Sequence, residues 1–165
     1  MVGYTWAMVA SLLIFFILAA VVLAIDLVTK YFLYGGAGFT IIPGLLSVYP
    51  VRNFGAAFGL PLPLWFLIGV TFVILALGGA FYFKFKTGRK NKLFNIAFGF
   101  ILGGALGNLA DRIFLGYVRD FLQFDFLPGF PVMNFADWFL NVGMALLIIY
   151  IIFVYKGKGR GTVKG

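Results

Sequence analysis

The acidic side chains of this sequence are all aspartates, at five positions: Asp26, Asp111, Asp120, Asp125 and Asp137. Cys, His and Glu are absent from the 165 residues. This excludes a Cys–His or Ser–His–Asp catalytic site, an HExxH zinc site and a disulfide. A pair of carboxylates that share one proton is a catalytic arrangement that the residues present can still form. Its ionised member takes a proton from water, and its protonated member polarises a peptide carbonyl.

Four of the five aspartates lie in short polar motifs next to apolar runs. The motifs are DLVTK (26–30), GGALGNLADR (103–112), VRDF (118–121) and NFAD (134–137), and NFGAAFG (53–59) adds an amide among small residues. Because the motifs lie at or just beyond the ends of apolar runs, their carboxylates can meet at one membrane face. Asp125 lies outside every motif and is interpreted as a solvated loop charge.

Each motif also has a structural interpretation. Asp26 and Lys30 are four residues apart, so they share a helix face and can pin a helix terminus by pairing. Asp111 can cap a helix of small residues through an ion pair with the next residue. Asp137 opens an apolar run, where it can act as a helix cap. The residues alone do not choose between Asp111 and Asp120 for a carboxylate pair, because each has an adjacent arginine.

The composition predicts a membrane protein. It is 63% hydrophobic and 11% charged, with a mean hydropathy of +1.07, whereas about 25% of the residues of a soluble domain are charged. The apolar runs predict an all-α membrane protein, one embedded domain over residues 1–165, with four transmembrane helices at approximately 6–25, 62–83, 93–110 and 136–155.

The segments between the predicted helices carry the turn signals and the charge. Gly and Pro break residues 31–61, which predicts a folded loop with short strands at 40–42 and 45–49. Residues 111–135 are interpreted as a polar loop and 156–165 as a disordered basic tail. The 84–92 loop holds five Lys/Arg and the tail four. The positive-inside rule therefore places both termini in the cytoplasm and the β-containing loop region outside it. The net charge of +8 is thus interpreted as membrane orientation, with no nucleic-acid partner.

Five motifs resemble, in their order and spacing, those of the bacterial lipoprotein signal peptidases (signal peptidase II). They cover about residues 20–145 and are DLVTK, NFGAAFG, GGALGNLADR, VRDF and FPVMNFAD. The resemblance implies a four-helix aspartic endopeptidase of the inner membrane, with its active site on the extracytoplasmic side. Such enzymes cut prolipoproteins before a diacylglyceryl-modified cysteine. The resemblance implies catalytic roles for Asp120 and Asp137. It implies substrate-binding roles for Asn53, Gly55, Asn108, Arg112 and Asn134, and supporting roles for Asp26, Lys30, Asp111 and Ala136.

Three residues depart from the family pattern. Leu27 replaces a usual Gln, Trp138 replaces a common Ser, and Arg119 stands where an apolar residue is common. Arg119 is expected to lower the pKa of Asp120 if its side chain turns toward that carboxyl group. We expect no cofactor, no metal and no obligate protein partner, only prolipoprotein substrates and membrane lipid.

Four alternatives remain open at the level of sequence. A Ser/Lys peptidase requires Ser47 beside Lys30. An ion-coupled transporter also needs intramembrane Asp, although transporters bind near the midplane, often between repeated halves. Three or four Asp can hold a hard cation such as Mg²⁺ or Ca²⁺. A purely structural protein leaves unexplained why Asn-x-x-Asp occurs twice, at 108–111 and 134–137.

Overall fold

A computed structural model describes residues 6–56 and 60–155, without the side chains of residues 7, 8, 86 and 87. The basic tail and residues 57–59 of the NFGAAFG motif lie outside the described residues. The helices are α1 (Trp6–Tyr34), α2 (Leu64–Lys84), the short α3 (Lys86–Arg89), α4 (Lys92–Leu115) and α5 (Phe135–Ile149), which continues as a π-helix over Tyr150–Tyr155. The strands are β1 (Phe39–Ile42), β2 (Leu46–Asn53) and β3 (Val118–Phe124).

The predicted fold class is confirmed. Four helices are long and apolar enough to cross a membrane, at Val9–Tyr34, Leu64–Lys84, Lys92–Leu115 and Phe135–Tyr155, and a small three-stranded sheet accompanies them.

Two of these helices extend beyond their predicted ends. The first runs past residue 25 to Tyr34, so Asp26 and Lys30 lie inside it and do not pin its terminus. Their charges are paired with each other, which removes the reason for the helix to stop there. The third runs past residue 110 and ends at Gly116, whose φ of 81° is left-handed and suits glycine at a helix C-terminus.

Helix α4 is the centre of the bundle, and α1 and α5 pack on its two sides. Glycine allows both contacts to be close. A Cβ on Gly103 would lie 2.6 Å from the carbonyl oxygen of Ala19 in α1, and a Cβ on Gly104 would lie 2.6 Å from that of Ala136 in α5. Helix α2 packs mainly on α4 and presents most of its surface outward.

Aromatic side chains fill the end of the bundle that is remote from the sheet. The buried cluster consists of Phe15, Tyr82, Phe94, Phe98 and Tyr150. Within it the hydroxyl group of Tyr82 donates a hydrogen bond of 2.6 Å to Asn95 Oδ1. This satisfies the buried polar atom of a tyrosine whose ring packs among phenylalanines.

The sheet covers the other end of the bundle and is antiparallel in the order β1-β2-β3. Its first two strands lie close to the predicted 40–42 and 45–49, although β2 continues to Asn53. The third strand was not predicted, so the interpretation of 111–135 as a loop is wrong for Val118–Phe124. Consecutive residues of β3 are buried, from Asp120 to Leu122, so the alternation that marks a half-buried strand is missing.

Candidate active site

Strand β3 positions Asp120, and its partner strand supplies the first contact. In the β2–β3 register Val51 pairs with Asp120 and Asn53 with Val118, which brings the Asn53 amide beside the carboxyl group. Asn53 Nδ2 donates a hydrogen bond of 2.9 Å to Asp120 Oδ2. The Oδ1 atom of the same amide accepts one of 2.9 Å from the backbone N–H of Gly55, so the amide is held at both ends.

The start of α5 positions the second carboxylate through a capping box. Asn134 Oδ1 accepts a hydrogen bond of 3.0 Å from the N–H of Asp137, and Asp137 Oδ2 accepts one of 3.2 Å from the N–H of Asn134. Asn134 Nδ2 also donates a bond of 2.6 Å to Asp120 Oδ1. One asparagine therefore caps the helix and joins the two carboxylates, so capping does not compete with a site role for Asp137.

Helix α4 contributes Asn108, whose amide has one possible orientation. Its Nδ2 donates a hydrogen bond of 2.8 Å to Asp137 Oδ1. Its Oδ1 accepts bonds of 3.0 Å from Asn134 Nδ2 and from Lys30 Nζ. Because an ammonium group only donates, Lys30 requires the oxygen of Asn108 on its own side. The amide nitrogen is thereby directed at the carboxylate.

Lys30 is fully buried and lies in a network of charges behind Asn108. Its Nζ is 2.7 Å from Asp26 Oδ2 and 3.3 Å from Asp111 Oδ2. Asp26 Oδ1 in turn accepts a hydrogen bond of 2.9 Å from the N–H of Ala136 in the first turn of α5. The supporting residues predicted from the resemblance thus tie α1, α4 and α5 together beneath the two carboxylates.

The arginines do not pair as the sequence suggested. Arg119 Nη2 lies 2.7 Å from Asp111 Oδ1, and the Arg119 N–H donates a bond of 2.9 Å to Asp111 Oδ2. Arg119 therefore turns to Asp111 and away from Asp120, because neighbouring side chains of a strand point to opposite faces. The Asp111–Arg112 ion pair is not found among the described residues. Arg112 Nη2 instead donates a bond of 3.2 Å to the carbonyl oxygen of Gly55.

Asp120 lies outside the membrane-spanning helices, and its pKa is raised well above that of an ordinary aspartate. Burial raises its pKa to about 7, and the nearby negative charge of Asp137 acts in the same direction. Hydrogen bonds from Asn53 and Asn134 oppose the rise in pKa without cancelling it. Near neutral pH this site therefore holds a proton that an ordinary aspartate loses.

Both carboxylates line one cavity of about 290 Å³, together with Asn53, Asn108 and Arg112. A larger groove of about 840 Å³ adjoins it, sharing Asn53 and Asp120 in its lining. This groove also includes Gly55. The structure thus brings together four of the five predicted substrate-binding residues at these cavities, and Asn134 lies directly behind them in contact with both catalytic candidates.

One polar residue that lines the smaller cavity was not predicted from the sequence. Asn141 lines the smaller cavity from α5, one helical turn beyond Asp137. Its signal in the sequence is an amide within an apolar run, four residues after a candidate carboxylate, and polar residues within spans usually have a function.

The remaining sequence hypotheses concern residues away from the cavity. Asp125 lies half-buried in a turn, and Ser47 Oγ donates a hydrogen bond of 2.6 Å to its Oδ2, so its charge is partly solvated and also has a protein partner. Ser47 and Lys30 contact different groups, which leaves the Ser/Lys site unsupported. Trp138 stacks obliquely on Phe124, with ring centroids 5.6 Å apart.

The described residues contain no cluster of acidic side chains that could bind a cation. Across residues 6–56 and 60–155, no three acidic side chains converge on one point. Asp120 and Asp137 accept hydrogen bonds from amides, and Asp26 and Asp111 are paired with Lys30.

Comparisons with a family model, with related sequences and with solved structures agree with one another. The model of the signal peptidase (SPase) II family matches residues 18–153. A lipoprotein signal peptidase of Bacillus pumilus (strain SAFR-032) is 36% identical, over 90% of this chain and 98% of the relative. One of Desulfitobacterium hafniense (strain DSM 10664 / DCB-2) is 39% identical, over 85% of this chain and 93% of the relative. A bacterial membrane enzyme solved by the in meso method at 2.3 Å resolution superposes with a TM-score of 0.77 and 33% identity, covering 94% of this chain and 93% of the other.

Proposed function

The chain belongs to the signal peptidase II family, and we propose that it removes signal peptides from prolipoproteins by aspartic proteolysis at Asp120 and Asp137. The observation that carries this proposal is the link between the two carboxyl groups through Asn134, whose side-chain amide donates to Asp120 and whose backbone N–H donates to the carboxylate of Asp137. The transporter alternative has no support among the relatives.

The chemistry follows from the two environments. Asp120, whose pKa is about 7, is the acid that donates to the oxygen of the scissile carbonyl. Asp137 is the base that takes a proton from the attacking water, whose oxygen bonds to the carbonyl carbon. When the tetrahedral intermediate collapses, the C–N bond breaks and the amine nitrogen receives a proton from the pair. No covalent enzyme intermediate is formed.

The amides around the pair act mainly as positioning groups. Asn53, Asn108 and Asn134 each donate a hydrogen bond to a catalytic carboxylate, which leaves little of their capacity for substrate. Arg112 lines the smaller cavity and donates a hydrogen bond to the carbonyl oxygen of Gly55, which lines the adjoining groove. Arg112 retains further guanidinium N–H groups with which to bind substrate carbonyls.

We propose that the substrate carries a diacylglyceryl-modified cysteine after the scissile bond. Exposed apolar side chains surround the helices, and acyl chains can lie against them. Because the substrate is already in the bilayer, such contacts contribute positioning more than transfer energy. The lipid is therefore expected to change the rate of cleavage.

The test is a gel-shift cleavage assay with purified protein and a diacylglyceryl-modified prolipoprotein, beside the unmodified precursor. We expect cleavage of the modified substrate and much slower cleavage of the other. Equal rates would refute the lipid requirement, and no cleavage of either would refute the proposed function. Addition of EDTA should leave the rate unchanged. Loss of activity that a divalent ion restores would instead support the cation alternative.

For topology we propose a multi-pass protein of the bacterial cytoplasmic membrane, with both termini cytoplasmic and the carboxylate pair on the opposite side. The Lys/Arg of the 84–92 loop and of the tail support this orientation. A reporter that is active only in the cytoplasm, fused after Lys164, should be active. A fusion that works only outside the cytoplasm would reverse the orientation.

A further inference from the structure

Asn141 is a polar residue in an unusual position. It lies within the candidate span Phe135–Tyr155, which has a hydropathy of 2.2, and its side chain is exposed on the surface of α5. It also lines the cavity that holds Asp120 and Asp137. An amide facing hydrocarbon without partners is costly, and polar side chains in spans generally find a partner or line a water-filled or ligand-filled space.

The side-chain amides that line this cavity differ in whether their donor and acceptor atoms have hydrogen-bond partners. Asn53 donates to Asp120 and accepts from Gly55, and both ends of the Asn108 amide are occupied. Among the described residues, neither the donor nor the acceptor of the Asn141 amide has a hydrogen-bond partner. Asn141 therefore offers this cavity a free amide N–H and a free amide oxygen.

The depth of Asn141 indicates which part of a substrate it meets. An α-helix rises about 1.5 Å per residue, so Asn141 lies roughly 6 Å farther into the span than Asp137. An extended peptide advances about 3.3 Å per residue, so this distance corresponds to about two residues. The apolar part of a signal peptide lies within the membrane. The chain that runs from the scissile bond toward Asn141 is therefore the signal-peptide side.

We propose that Asn141 is a substrate-binding residue that hydrogen-bonds the backbone of the signal peptide, at about the second residue before the scissile bond. The inference rests on the proposed function and deepens it. A side-chain amide both donates and accepts, as a peptide group does. An extended peptide in apolar surroundings needs partners for its own N–H and C=O. A backbone contact of this kind holds substrates of varied sequence.

The first test compares Asn141→Leu with wild-type enzyme on a lipidated prolipoprotein. We expect KM to rise about tenfold and kcat to change little, because the lost hydrogen bonds exist before the reaction as well as during it. Asn141→Gln, which keeps the amide, should recover most of the loss. Val142→Leu is the matched control on the same helix, since Val142 does not line the cavity, and it should leave KM unchanged.

The second test replaces one backbone amide of the substrate by an ester, two residues before the cleavage site. The ester removes the N–H, so it should raise KM for wild-type enzyme and add little for Asn141→Leu. An unchanged KM for Asn141→Leu, or full additivity of the two changes, would overturn the proposal. If Asn141→Leu is poorly folded by thermal unfolding, Asn141→Ala takes its place. Failure of the aspartic mechanism would show separately, as turnover retained by Asp120→Asn.

Discussion

Asn134 donates a hydrogen bond of 2.6 Å to Asp120, although the two residues belong to different elements, the N-cap of α5 and strand β3. The same side chain accepts from the backbone of Asp137. The hydrogen bond that caps helix α5 and the hydrogen bond that holds the Asp120 carboxyl group therefore come from one amide. Its geometry couples the folding of α5 to the assembly of the carboxylate pair.

Asp120→Asn and Asp137→Asn should each abolish cleavage without unfolding the protein. Asparagine has nearly the same shape as aspartate but cannot exchange a proton in the reaction. General acid–base groups contribute about 10²–10⁴-fold each. Groups that act as a unit are not additive, so the double variant should be scarcely slower than either single one. Single-turnover cleavage measures the rates, and thermal unfolding shows that the variants are folded.

Two other aspartates serve as controls for this prediction. Asp125→Asn should turn over almost normally, because its asparagine can still accept from Ser47. Asp111→Asn should act through stability, as a lower melting temperature, because it weakens contacts to Lys30 and Arg119. Normal turnover by Asp120→Asn with a folded but inactive Asp111→Asn would show that Asp111 is the catalytic residue.

The rate of cleavage should fall as the pH rises above about 7. Asp120 must be protonated to act as the acid, and its pKa is raised to about 7, so the active form declines about tenfold per pH unit beyond that point. A kcat profile from pH 5 to 9 measures this limb, with Asp125→Asn as the control that retains it. A rate that climbs through pH 7–9 would contradict the assignment of Asp120 as the acid.

Stability should also fall with rising pH, between about pH 4 and 7. The folded pKa of Asp120 is raised above its ordinary value of 3.8. In this window the folded protein therefore holds a proton that the unfolded chain has lost, and the free energy of unfolding decreases as pH increases. Asp120→Asn lacks this proton. Its melting temperature should drop less than that of wild type between pH 4 and 7, and an identical drop would contradict the raised pKa.

Lys30→Met should be among the most destabilising substitutions in the chain. It leaves Asp26 without its cation, deep in the bundle, and removes the group that orients Asn108. Breaking a buried ion pair from one side costs about 3–5 kcal/mol. Thermal unfolding in detergent should show a large decrease, which Asp26→Asn in the same chain partly reverses. A melting temperature equal to that of wild type would show that the pair contributes nothing.

Gly104→Ala should lower both stability and activity, whereas Gly79→Ala should lower neither. The added Cβ at Gly104 would lie 2.6 Å from the carbonyl oxygen of Ala136, which is backbone and cannot rotate away, whereas nothing lies within 4 Å of a Cβ at Gly79. Helix α5 must therefore move, and Asp137 moves with it. Melting temperature and kcat should fall together for Gly104→Ala, and normal kcat would mean that the site tolerates this displacement.

The sequence is informative about the spans and about local pairs. Apolar runs of about twenty residues identify the four helices, and the spacing of Asp26 and Lys30 predicts the ion pair that they form. The ordered motifs identify every aspartate of the network. These features depend on hydropathy and on positions close together in the chain, which can be read directly.

The rest depends on contacts between distant segments. Strand β3 lacks alternation because it is covered on both sides, and without the strand the opposite directions of Arg119 and Asp120 cannot be inferred. The hydrogen bond from Asn53 to Asp120 requires the β2–β3 register. No local pattern states that register, since the two strands are separated by α2, α3 and α4.

Because α4 lies at the centre of the bundle, the surfaces of the molecule differ in how readily they tolerate substitution. Both sides of α4 make close contacts with neighbouring helices and contribute to the charge network. Most of the surface of α2 and one face of α5 are instead exposed. Lipid thickness and composition differ among membranes, and hydrophobic mismatch has to be accommodated by the outward surfaces. The chain can thus adapt to a thicker or more ordered bilayer by substitutions on α2 without disturbing the hydrogen bonds that hold Asp120 and Asp137.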